Sequence, residues 1–403
     1  MPMSILTPKD AQETARAIAA ALSRNAPVRI IGHDSRAALG RPVAASGVLD
    51  MSRLSGVSMY EPEELVFTAR AGTPLKDIEA MLAEKGQMLA FEPPDFGPLL
   101  GALAGRGTLG GMTAAGLSGP RRIRSGAVRD HLLGFAAVNG RAEIFKSGGR
   151  VMKNVTGYDL SKLMCASWGT LAVLTEVTFK VLPAPEAALS LCFHDLDTAR
   201  ANACMTRALR APAEVSGAAH LPAAVTGKRA RTLLRLEGFA PSVAARARML
   251  EAALEAFGAP ELLEGEASAQ AWRDIRDAVP LHGDDEAFIW RISCPPAQGA
   301  QVAKDLEAMI PGARHFMDWG GGLIWLATPP APHAHAELVR GALATPGGHA
   351  TLFRAPPDIR RALPVFQPQP EPLAEVSARI KAAFDPRDIL NPGRVYPSRR
   401  EGG

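Results

Sequence analysis

Between positions 105 and 126 the chain reads GRGTLGGMTAAGLSGPRRIRSG, seven of whose 22 residues are glycine. Side chains this small leave main-chain N–H groups uncovered, so a ligand can approach the backbone closely. Arg121, Arg122 and Arg124 follow within the same span and suit an anion. Next come an apolar run at 132–138, the segment KNVTGYDL at 153–160 and the strand-like TLAVLTEVTFKVL at 170–182. Residues 105–182 are therefore expected to hold the ligand around which the chain is organised.

The rest of the composition limits the function. At 403 residues the chain is long enough for two or more domains, and 47% hydrophobic with 21% charged residues describes a globular protein. Net charge is only +4, with basic residues scattered apart from 121–124 and short pairs such as 399–400, which disfavours nucleic-acid binding. The opening MPMSILTPKD lacks a basic segment followed by an apolar one, and no run reaches the roughly 18 apolar residues of a membrane helix. A cytoplasmic location is expected, with at most peripheral membrane association through a partner. Cys165, Cys192, Cys204 and Cys294 show no Cys-x-x-Cys spacing, so no iron–sulfur cluster or thiolate zinc site is expected. Electrons handled by this chain must pass through an organic cofactor or a partner.

Read in order, Thr7 and Pro8 suit a helix start, with Ala11, Ala15, Ile18 and Leu22 as its apolar stripe. Residues 28–31 read as a buried strand running into the turn Gly32-His33-Asp34-Ser35-Arg36, a possible diphosphate cradle. A strand at 65–69, a helix at 75–85, and strands at 132–138 and 142–146 joined through Asn139-Gly140 follow. A helix is expected at 158–168. Pro183-Ala184-Pro185 marks a boundary, giving domains at 1–185, 186–370 and a returning tail at 371–403. Beyond it, strands near 188–193, 231–236, 287–292, 322–326 and 350–353 alternate with Ala-rich helices. That pattern predicts an antiparallel sheet covered by helices on one face. The fold class expected is α+β.

The turn at 31–36, GTLGGMTAAG at 107–116, VTGYDL at 155–160, GTLAVLTEVT at 169–178 and FDPRDILNPGR at 384–394 occur in one order. Together they resemble the FAD-linked oxidases of the vanillyl-alcohol oxidase family and the FAD-linked D-2-hydroxyacid dehydrogenases. IGHDSRAALGRP at 31–42 and HFMDWGG at 315–321 narrow the resemblance to the FAD-binding E subunits of bacterial glycolate oxidases. The resemblance implies a bipartite FAD-binding domain with an α+β cap, and FAD bound non-covalently. Carried over by position, Ile31, Gly32, His33, Asp34 and Ser35 would line the diphosphate. Gly110, Gly111, Thr113, Ala114 and Gly116 would contact diphosphate and flavin. Gly126, Val173 and Thr175 would lie along the adenine half and ring, and Asn391 and Arg394 would close the site. The implied partners are the larger catalytic flavoprotein (D-type) and the iron–sulfur protein (F-type) of glycolate oxidase, with a small 2-hydroxy acid such as glycolate or D-lactate as substrate.

Two departures matter. The family's first loop is glycine-rich, whereas here only Gly32 remains, and Asp34 beside a diphosphate is unfavourable unless it faces away. Oxidation of a 2-hydroxy acid also needs a base and a cation for the carboxylate. The Gly-His-x-Gly-Asp-Gly-Asn-x-His type of cap motif is absent. His333, His335, Arg354, Arg360 and Arg361 are the nearest candidates, while Tyr158, Asp159 and Lys162 follow the central stretch. No catalytic base and no metal ligand is assigned. Trp168, Trp272, Trp290, Trp319 and Trp325 read as packing residues. A self-sufficient FAD-dependent dehydrogenase and a flavin-free scaffold subunit are the alternatives.

Overall fold

A computed structural model describes residues 4–149 and 158–398. Residues 153–157 of the central stretch therefore lie outside the described residues. The chain divides into two compact units: Met1–Leu117, Ala127–Ala184 and Pro368–Gly403 form one, and Ser118–Gly126 with Pro185–Gln367 form the other.

In the first unit, Ser4–Leu6, Gly47–Asp50 and Val28–Ile31 make a parallel three-stranded sheet with Gly47–Asp50 in the middle. A five-stranded antiparallel sheet runs Val57–Glu61, Val66–Arg70, Ala172–Lys180, Leu132–Asn139, Ile144–Gly148. The central Ala172–Lys180 strand is buried at most positions, which its β-branched run TEVTF suits. Phe67, Phe91 and Phe179 pack at ring separations of 5.8–6.1 Å in its core. Ile18, Leu49, Val138 and Val173 meet Ile389 and Leu390 in a second cluster, so the tail is built into this unit.

The first helix begins later than Pro8, at Ala11–Ser23. Asp10 caps it because its carboxylate accepts the Glu13 N–H at 2.6 Å, a stronger acceptor than the Thr7 hydroxyl. The hairpin between Leu132–Asn139 and Ile144–Gly148 turns through four residues, with positive φ at Ala142 rather than at Gly140. Gly140 is small for another reason: a Cβ there would lie 2.3 Å from Asp385 Oδ1. The helix expected at 158–168 shortens to Leu160–Met164, since Ala166 and Trp168 take φ of 64° and 56°.

The second unit is an eight-stranded antiparallel sheet. It includes three strands not read from sequence, Gly217–Leu221, Glu261–Glu264 and Arg314–Asp318. Helices Thr198–Arg210, Ala240–Ala253, Gly299–Met309 and Ala336–Gly341 place Met205, Leu250, Leu306 and Val339 against Leu191, Leu234, Trp290 and Ile324. The expectation of helices on one face alone is corrected by Gly265–Arg276. Its Trp272 Nε1 donates to Ser190 Oγ at 2.8 Å, and Ser190 alternates with the core-facing Leu189 and Leu191.

Residues 118–126 were expected in the first domain, but they pack with the second unit. Arg121 donates twice to Glu237, at 3.0 and 2.8 Å, and Arg124 pairs with Glu214 at 2.6 Å. Two of the three arginines that suggested an anion are thus neutralised within the chain. Gly126, expected along the adenine half, ends the short Arg122–Ser125 helix at φ 84°. Among the described residues no helix is long and apolar enough to cross a membrane.

Candidate active site: a cavity in the first unit

The Val28–Ile31 strand ends at one wall of a cavity of about 100 Å³, lined by Ile31 to Arg36, Thr108, Gly111, Ala114, Trp168, Asn391 and Arg394. A second chamber of about 90 Å³ shares Ile31, Gly32, Gly111 and Trp168 and adds Met51, Ala71, Gly110, Ala172, Val173 and Leu174. The first, called the outer chamber, has the more polar lining, and the second, the inner chamber, the more apolar one.

Small residues bring the walls together. A Cβ on Gly32 would sit 2.4 Å from Thr108 Oγ1, and one on Gly110 2.7 Å from the Ala71 Cβ. Thr108 caps the Leu109–Ala115 helix by accepting the Gly111 N–H at 3.2 Å, while Gly110 N–H donates to Ala71 O at 2.7 Å. These two amides, expected to serve a ligand, are therefore engaged within the fold. What the glycines leave at the cavity is space.

The turn after the strand carries the charge. Asp34, at φ 57°, accepts both of its hydrogen bonds from Arg29 Nη1, at 2.9 and 2.8 Å. The carboxylate that departs from the family pattern is neutralised by the strand that precedes it. Arg36 keeps one donor on Pro94 O at 3.3 Å, but its buried Nε and the His33 Nδ1 meet no partner among the described residues. Burial holds the Arg36 guanidinium below its ordinary value, opposed by Asp95. A cation and an imidazole nitrogen with unused hydrogen-bonding capacity suit an anionic group in the outer chamber.

The tail closes the wall. Asn391 Oδ1 accepts the Ile30 N–H at 2.8 Å and its Nδ2 donates to Trp168 O at 2.8 Å, so both ends of the amide are committed. Arg394 Nη2 donates to Arg36 O at 2.7 Å. Both residues shape the cavity from the tail.

Of the residues expected from sequence, Ile31, Gly32, His33, Asp34, Ser35, Gly111, Ala114, Asn391 and Arg394 line the outer chamber, and Gly110 and Val173 the inner one. Thr113 bonds Leu109 O at 2.8 Å within its helix, and Gly116 ends that helix at φ 64°. Thr175 is buried with its Oγ1 unpartnered among the described residues. Arg29, Thr108 and Trp168 also line the outer chamber without being expected there from sequence, while Arg36 closes the turn expected as a diphosphate cradle. The Thr108-x-x-Gly111 spacing of a helix cap was the available signal for one of them.

The other candidates stand elsewhere. Tyr158 is 89% exposed, and Lys162 donates to Arg129 O. Arg354 donates to Asp284 O and Ala287 O, Arg360 is buried with Nε on Ala355 O at 2.9 Å, and His335 contacts Pro329 O at 3.2 Å.

Comparison with known proteins accords with this geometry. Residues 2–148 match the family model of the FAD binding domain, and 368–395 that of the FAD linked oxidases, C-terminal domain. The structure superposes on 4-ethylphenol oxidase from Gulosibacter chungangensis with TM-score 0.72 and 14% identity, covering 98% of this chain and 90% of that one. The fold is that of the vanillyl-alcohol oxidase-type FAD-linked oxidoreductases, with a bipartite FAD-binding domain and an antiparallel α+β cap.

The glycolate oxidase subunit GlcE of Escherichia coli (strain K12) is 38% identical over 377 residues, 93% of this chain and 94% of that protein. The glycolate oxidase subunit GlcD of Bacillus subtilis (strain 168) is 28% identical over 202 residues, 49% of this chain and 41% of that one. The chain belongs to the GlcE family of FAD-linked oxidoreductase subunits. Its cofactor is FAD.

Proposed function

We propose that the chain is the FAD-holding subunit of a glycolate oxidase complex, in which glycolate, and D-lactate as a second substrate, is oxidised to the 2-oxo acid. The observation that carries this reading is the paired cavity, whose outer chamber keeps unpartnered polar atoms on His33 and Arg36 beside an apolar inner one. Ile31 to Ser35 and Gly111 would border the diphosphate, Gly110 and Val173 the ring system, and Asn391 and Arg394 would hold the wall in place. Bound FAD would supply a two-electron acceptor. FAD would be held non-covalently.

A catalytic flavoprotein partner of the D type and an iron–sulfur partner of the F type complete the scheme. Similarity to both GlcE and GlcD supports such a complex. Asp34 is unsuited to act as the base, since Arg29 occupies both of its oxygens. With no base assigned in this chain, the base would come from the catalytic partner. Purification of the native complex with flavin counted per protein chain tests the assignment. Two flavins for each pair of this chain with its catalytic partner are expected, and a single one would leave this chain a scaffold. Bleaching of flavin in the isolated chain by glycolate would instead make it a self-sufficient dehydrogenase.

A further inference from the structure

The second unit holds a cluster of cations that neither its hydrophobic core nor the flavin cavity uses. Along Phe288–Ser293, Phe288, Trp290 and Ile292 enter the core, so Arg291 points from the opposite face of the sheet. Its guanidinium carbon lies 5.0 Å from the centre of the Trp319 ring and 5.9 Å from that of Trp325. A second guanidinium, that of Arg122, lies 4.4 Å from the Trp319 ring centre. At Arg291, stacking on the aromatic faces occupies the flat side of the guanidinium and leaves its N–H donors in the plane open. The Arg291 side chain makes no hydrogen bond or ion pair with any described residue.

The indole under these cations is held in place by its backbone. Trp319, Gly320 and Gly321 all have positive φ, at 54°, 64° and 98°. Such a conformation at tryptophan persists only where its surroundings impose it. Trp319 N–H donates to Asp318 Oδ1 at 2.7 Å, and its Nε1 donates to Gly119 O at 3.0 Å, which fixes the ring beside Arg122. The turn has no slack, since a Cβ on Gly321 would lie 2.2 Å from Asn202 Oδ1. Burial first, and then repulsion from Arg122, hold Arg291 down at about 10, with Asp318 opposing. His349, on the neighbouring strand His349–Arg354, is held below its usual value by burial and by the same two arginines. Two guanidiniums thus share one indole, and Asp318 is the single carboxylate acting on Arg291.

We propose that this cluster is a carboxylate-binding site, in which Arg291 offers its open donors to a small 2-hydroxy carboxylate, Arg122 adds a second positive charge and Trp319 sets the position of both. The choice of a 2-hydroxy acid rests on the oxidoreductase reading above; the site itself rests on the unpaired guanidinium. Arg354 and Arg360, whose donors already serve main-chain oxygens, are less suited to that carboxylate than Arg291.

Trp319 and Trp325 provide the readout. The full-length chain, with and without bound FAD, is titrated with glycolate, D-lactate, acetate and chloride while tryptophan fluorescence is followed. A saturable change with glycolate and D-lactate is expected, tenfold or more weaker in Arg291→Gln and partly recovered in Arg291→Lys. Flavin content, read from visible absorbance, should be equal in all three proteins. Equal glycolate affinity in wild type and Arg291→Gln would overturn the proposal, as would the absence of any saturable change. So would an Arg291→Gln chain that keeps glycolate binding but no longer associates with its partner subunits, which would make the cluster a subunit contact. A chain that binds glycolate but carries no flavin would support the site and remove the flavoprotein reading, so the two stand or fall separately.

Discussion

At Gly111 a Cβ would already stand 3.0 Å from Thr108 Oγ1, and any longer side chain must project into the shared wall of both chambers. Gly111→Phe is expected to leave a folded chain with flavin content reduced at least tenfold, read from the ratio of visible to ultraviolet absorbance. Asn391→Ala removes the acceptor of the Ile30 N–H and the donor to Trp168 O, costing about 1–3 kcal/mol for the groups left unsatisfied. Urea midpoints of the first unit should report that loss. Glu237 shows a pH effect with a defined sign. Burial alone would raise its pKa, but Arg235 and Arg121 outweigh it and hold the carboxyl at about 2. Its stabilisation is therefore complete above the ordinary carboxyl value near 4.5 and is lost as the pH falls toward 2. The wild type should exceed Glu237→Gln by about 3 kcal/mol at neutral pH. That advantage should vanish by pH 2 in denaturant titrations at stepped pH.

Among the elements, the returning tail has the clearest consequence. Phe384 and Ile380 of the Glu371–Phe384 helix pack on the core of the first unit, and buried Asp385 accepts from Lys381 at 2.6 Å and from the Leu390 N–H at 2.8 Å. A chain ending at Gln367 is expected to lose flavin and the cooperative unfolding of the first unit, while the second unit keeps its own transition in calorimetry. The strand Val28–Ile31, the turn after it and the tail were legible from sequence because hydrophobic runs and FDPRDILNPGR are local signals. Leu109–Ala115 was not legible as a helix, since two glycines lower its propensity and a single threonine cap offsets them. Glu261–Glu264 was equally hidden: four residues, mostly exposed at a sheet edge, show no period. The placement of 118–126 depended on Arg121 and Arg124 finding Glu237 and Glu214 roughly a hundred positions away, which no window of sequence reveals.

For the whole molecule, binding of FAD to the folded state alone must raise stability by mass action. At a hundred times its dissociation constant the gain is about 2.7 kcal/mol, or roughly 5–10 °C in the midpoint of a unit of this size. Differential scanning calorimetry with added FAD should show the shift in the transition of the first unit. An equal shift in Gly111→Phe would count against the cavity as the flavin site.

Asn391 and Arg394 stitch the cavity wall to Ile30 and Arg36, some 360 positions earlier in the chain. Closing a loop of that length costs chain entropy that only the packed unit repays, so this wall is expected to be among the later parts of the first unit to form.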